Sequence, residues 1–128
     1  MIRFAVLVLL ASTSATCAAM TPTTTSSVAI SPKAYVVIEV AVTDPADYEN
    51  YKKAIEPIII AHGGRYIARA GRTETIDPPA PNGRVVLLEF PSFDSAMVFE
   101  NAPETHAASE IRHRSSKSRI YVVEGVAP

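Results

Sequence analysis

Four short runs rich in β-branched residues punctuate this chain, and helix signals stand in only the first and third of the intervals between them. The runs are Ala34 to Val42, Gly64 to Ala70, Val85 to Phe90 and Arg119 to Val126. In the first interval Thr43 or Asp44 supplies a helix cap, and Pro45 falls in the first turn, where its missing N–H costs nothing. Tyr48, Tyr51, Ile55, Ile58, Ile59 and His62 then recur at threes and fours. That spacing predicts a helix from Ala46 to about Ala61, kinked at Pro57 and ended by the glycines after His62. The second interval carries "IDPPAPNG", whose prolines stay out of a ladder, so runs two and three make a long-looped hairpin. The third interval opens with Ser92 or Asp94 as a cap, breaks before Pro103 and resumes as a helix from Glu104 to Arg114.

Strand, helix, strand, strand, helix, strand is the split βαβ order. It predicts an α+β, ferredoxin-like βαββαβ protomer: a four-stranded antiparallel sheet in spatial order 4-1-3-2, with helices on one face. The other face is left bare, and strand parity says what lies on it. Val36, Ile38, Val40 and Val42 belong with the helices, as do Val86, Leu88 and Phe90. Tyr35, Val37, Glu39, Val85, Leu87 and Glu89 point away. By the same parity Ile120, Val122 and Glu124, and Arg65, Ile67 and Arg69, are placed on the bare face. So much apolar surface calls for a cover, and the economical one is a second copy of the sheet, giving a two-fold homodimer with a barrel-like interior.

The 128 residues suit one domain with one core. A net charge of -1 leaves no basic footprint, so neither nucleic acid nor an anionic membrane is an expected partner. Residues 1–19 combine Arg3, an apolar run from Phe4 to Ala11 and small residues up to Ala19, the pattern of a secretory signal peptide. The apolar run is shorter than the ~20 residues of a membrane span, so no integral membrane segment is expected after cleavage. The expected location is periplasmic or secreted. Cys17, the single cysteine, offers an alternative in which it carries lipid, although Ser14 and Thr16 fit such a site poorly. Residues 20–32, rich in Thr, Ser and Pro, read as a flexible spacer, and the folded domain occupies 33–128.

The landmarks "TDPADYENY", "HGGRYIARAG", "VVLLEFPSFDSA", "APE" and "VVEG" cover nearly all of Ala34 to Val126. In that order they resemble the domain-of-unknown-function family 1330, within the dimeric α/β-barrel superfamily. The resemblance implies a ferredoxin-like protomer and a homodimer, and no established reaction. Similar proteins tend to carry aromatics where this chain has Glu100 and Thr105. Cofactor-free monooxygenases and haem-degrading relatives in the superfamily often use a Trp, Asn and His set, and this chain has no tryptophan.

On the bare face, antiparallel pairing brings Arg65 near Glu89 and Arg69 nearer Val85. Glu89 and Glu124 then gather beside Tyr35, at the start of the first strand. Glu89, Glu39 and Glu124 are the candidate acid-base residues, because adjacent carboxylates in a dry cavity resist double ionisation and at least one keeps a raised pKa. Arg65, Arg69 and Tyr35 are the candidate ligands for a small polar or anionic molecule. Mutual neutralisation of these arginines and acids is the competing structural reading. His106, Glu110 and His113 share one side of a helix at metal-ligand spacing, but that side is a solvent face without orienting partners, so neither metal nor cofactor is expected. Three functions follow: a small-ligand-binding dimer, a cofactor-independent isomerase or monooxygenase on a small aromatic or enolisable compound, and a purely structural dimer.

Overall fold

The computed structural model describes residues 30–128. The leader at 1–19, Cys17 and the spacer up to residue 29 lie outside the described residues. The elements are β1 (Ala34–Val42), α1 (Pro45–Ala61), β2 (Arg65–Arg69), β3 (Arg84–Phe90), α2 (Phe93–Asn101), α3 (Pro103–Ser115) and β4 (Ser116–Glu124). They build a four-stranded sheet in the order β2-β3-β1-β4, every neighbouring pair antiparallel. This is the expected ferredoxin-like α+β arrangement.

β1 buries every second side chain, Ala34, Val36, Ile38 and Val40, because its β-branched residues alternate between the helix layer and the bare face. α1 starts where the Asp44 carboxylate accepts from the Asp47 N–H at 3.1 Å, with Pro45 in the first turn. It runs on through Pro57 and lays Tyr48, Tyr51, Ile55 and Ile59 on the sheet. The chain leaves α1 through Gly63 at φ +80, a left-handed conformation that glycine adopts without strain. Gly64 follows against Phe90 and Ile59, so close that no side chain fits there. Leu88, Phe90, Ala96, Phe99 and Ala108 complete the core between sheet and helices.

α3 passes directly into β4, three residues earlier than expected for the last strand. "SSKS" lacks strand propensity, yet Ser116, Lys117 and Ser118 pair with Val42, Ala41 and Val40. The junction is pinned because the Ser115 carbonyl accepts from both Thr43 N–H at 2.9 Å and Asp44 N–H at 3.0 Å.

Two parity expectations are corrected. Val36 pairs with Val122 and Ile38 with Ile120, and directly opposed residues share a face. Ile120 and Val122 therefore pack under the helices, and Glu124, opposite Ala34, belongs to that side too. Arg119, Tyr121 and Val123 point to the bare face, opposite Glu39, Val37 and Tyr35. In β2 a bulge at Ile67 shifts the register, so Tyr66 opposes Leu88 but Ala68 opposes Leu87 and Arg69 opposes Val86. The extra residue turns Arg69 to the helix side and leaves only Arg65 with Glu89.

Candidate functional site

On the bare face the expected cluster resolves into two separate ion-paired groups. Glu89 accepts from Arg65 Nε at 2.9 Å and from Lys33 Nζ at 3.0 Å. Lys33, and then Arg65, hold its carboxyl below the usual range. Glu39 accepts from Arg119 at 2.6 Å and from the Asn82 N–H at 3.3 Å. Arg119, and then Asn82, hold it low as well. Tyr35 stands opposite Glu89 across the β1–β3 pair. Glu39 is four residues beyond Tyr35, so the backbone positions that carry the two acids stand on the order of 13 Å apart along the sheet. No pair of carboxylates shares a charge here, and each is held as an anion, the opposite of what a base poised near neutrality needs. Glu124 is exposed at the end of β4.

Arg69 lies on the other side of the sheet, where its guanidinium meets the Glu56 carboxylate at 3.3 Å and stacks 4.3 Å above the Tyr66 ring. His106, Glu110 and His113 are exposed on α3, and among the described residues no three His, Cys, Asp or Glu side chains converge on a metal-sized site. His62 caps α1 and also reaches Glu104 at 2.9 Å, with its ring edge-on to Phe99.

A concave site lies elsewhere, between the sheet and the helices. A cavity of about 230 Å³ has Ile38, Val86, Leu88 and Ile120 as its floor. Tyr48, Tyr51 and Ile55 of α1 form one wall, and Phe99 and Glu100 of α2 with Thr105, Ser109 and Arg112 of α3 form the other. The exposed Arg69 and Arg84 stand at its rim. Burial pushes the phenols of Tyr48, Tyr51 and Tyr66 up, so they stay neutral hydrogen-bond donors at physiological pH. Burial also raises the Glu100 carboxyl, against the opposing pull of the Arg112 charge. Two polar atoms of the lining are buried without any partner, Thr105 Oγ1 and Arg112 Nε. The other guanidinium nitrogens of Arg112 are engaged, one by the Ser118 hydroxyl and one by His113 Nε2 at 3.2 Å.

Sequence reasoning missed this site because it sought charged groups on the bare face, used Tyr48 and Tyr51 as a sign of helical spacing and left Arg112 out of the candidate site. The signal was present at helical spacing: Thr105, Ser109 and Arg112 fall on one side of α3, as Tyr48, Tyr51 and Ile55 do on α1. Glu100 and Thr105, the two departures from the family pattern, both line the cavity.

Among solved structures, the chain is similar to the protein RPA0582 of Rhodopseudomonas palustris, a protein of unknown function. In its methylated form that protein shows 16% identity and a TM-score of 0.61, with 77% of this chain and 84% of that one covered. A second similar structure is SnoaB of Streptomyces nogalater, a cofactor-independent oxygenase, at 13% identity and a TM-score of 0.53, with 77% and 97% covered. At such identities the likeness is one of fold. No curated protein matches the chain. The model of DUF1330, a domain of unknown function, matches residues 33–126, and the chain belongs to that family.

Proposed function

We propose that this is an exported homodimer in which each protomer binds one small, mostly apolar molecule between its sheet and its helices. The observation that carries the reading is the cavity of about 230 Å³, apolar on its floor and fringed by a few polar groups. A cavity of roughly 150 Å³ already admits benzene, so a ring-sized molecule fits this one. The bare sheet face supports the homodimer. It combines half-buried Val37, Val85 and Leu87 with Tyr121 and Val123, each 46% exposed, around two ion pairs. The leader at 1–19 supports export. Titrating the protein with small aromatic and aliphatic fragments while following backbone and methyl resonances tests the ligand site. Shifts centred on Ile38, Tyr51 and Ile120 are expected, whereas a response confined to the bare face would sink the reading.

Glu100 favours a second reading, a cofactor-independent acid-base site. Its carboxyl is raised by burial and faces the cavity, whereas Glu39 and Glu89 are fixed as anions outside it. In that reading Glu100 takes a proton from an enolisable carbon of the ligand and returns it to another. Turnover of such a compound should vanish in Glu100→Gln while ligand binding persists; turnover that survives in this variant removes Glu100 as the base.

A further inference from the structure

The reading of the cavity as a ligand site leaves open what kind of molecule it takes, and the inference here rests on that reading. Arg112 is the informative residue. It is 8% exposed, yet none of the ion pairs among the described residues includes it. Its two engaged nitrogens meet a hydroxyl and an imidazole, both able to accept without carrying negative charge. Its Nε is buried and unpaired, and a buried cation without an anion is among the least tolerated arrangements in a folded protein. The Thr105 hydroxyl, two turns earlier on the same side of α3, is the second unpaired polar atom.

The rest of the lining tips the same way. Lys52, Arg69, Arg84 and Arg112 border the cavity against one carboxylate, Glu100. Lys52 is tied to Glu49 and Arg69 to Glu56, which leaves the charges of Arg84 and Arg112 without a carboxylate within ion-pairing distance among the described residues. The floor of Ile38, Leu88 and Ile120, facing Ile55 and Phe99, excludes a compact, fully hydrated anion. An occupant that satisfies both halves has an apolar body and one anionic end.

We propose that the cavity takes a small organic acid, a ring-sized monocarboxylate whose carboxylate lies against the Arg112 guanidinium while its apolar body lies against Ile38, Leu88 and Phe99. The carboxylate supplies the negative acceptor that the buried guanidinium lacks, and no covalent step is involved.

The test uses the full chain with benzoate and its uncharged analogue benzyl alcohol as probes, followed by NMR titration that includes the Arg112 Nε–Hε resonance. A hydrogen bond to a buried charge predicts that benzoate binds about tenfold to a hundredfold more tightly than benzyl alcohol and that the Nε–Hε signal moves on saturation with benzoate alone. Arg112→Met should abolish the preference for the acid and keep the affinity for benzyl alcohol. If Arg112→Met does not fold, the Nε–Hε resonance of the wild-type protein decides the matter. Equal affinities for the two probes, or benzoate binding that leaves Nε–Hε unmoved, overturn the organic-acid assignment while the cavity remains a ligand site. Failure of both probes to perturb any cavity resonance overturns the ligand-site reading and this proposal with it.

Discussion

The Arg119 guanidinium donates to the Glu39 carboxylate at 2.6 Å across the β1–β4 pair, on the side of the sheet that the helices leave bare. With Lys33 and Arg65 on Glu89, it lowers two carboxyl pKa values below their ordinary 4.5. A carboxyl lowered by folding stabilises the native state above its unfolded value and loses that contribution as pH falls through the lowered one. The folded protein should therefore weaken as pH drops below about 4.5, and a Glu39→Gln, Glu89→Gln variant should show a shallower acid limb. Urea midpoints measured across that range check it. Parallel limbs in the two proteins would show that the pairs contribute nothing.

Glu100 has the opposite sign. Burial raises its carboxyl above 4.5, so folding favours the protonated form and the charged form costs stability as pH rises from 4.5 through the raised value. Glu100→Gln should melt higher than the wild-type protein at pH 7, with the gain disappearing in acid. Calorimetry at neutral and acidic pH reads this directly, and a variant destabilised at pH 7 would mean that the carboxylate has a stabilising partner there.

Gly64→Ala addresses the packing of α1 on the sheet. An added methyl would lie 2.6 Å from the Phe90 ring and 2.9 Å from Ile59, both in the core. Overpacking of this kind costs about 1–3 kcal/mol, seen as a lower denaturant midpoint at an unchanged slope. An unchanged midpoint would indicate that Phe90 has room to move aside.

Val123→Asp tests the homodimer without touching the core, since Val123 is 46% exposed on the bare face. A carboxylate buried in a face-to-face pairing carries a desolvation cost and should give a folded monomer by sedimentation. If the variant sediments as the wild-type protein does, the bare face is not the contact surface.

The fold was legible because its signals are local and mutually consistent: β-branched runs, caps at Asp44 and Ser92, and glycines after His62 all agree on one element order. The faces of β4 were not legible, because Ile120 and Val122 are as apolar as Tyr121 and Val123 and only pairing with Val36 and Ile38 separates them. The bulge at Ile67 leaves no mark in "RYIAR", yet it decides which side Arg69 serves. Those two errors added Glu124 and Arg69 to the bare-face group, whose other members, Glu39, Glu89, Arg65 and Tyr35, do lie there. The cavity escaped notice because Tyr51, Thr105 and Arg112 meet only in three dimensions, each looking ordinary in its own helix.

The seam where α3 becomes β4 bears on how anything reaches the interior. With no residue between the two elements and the Ser115 carbonyl gripping two amides of the β1–α1 turn, that corner has no slack and cannot act as a hinge. The part of the cavity rim left to solvent carries Arg69 and Arg84, at the two ends of the long β2–β3 loop. For the proposed ligand, the Arg84 charge at that rim would be met before the apolar floor.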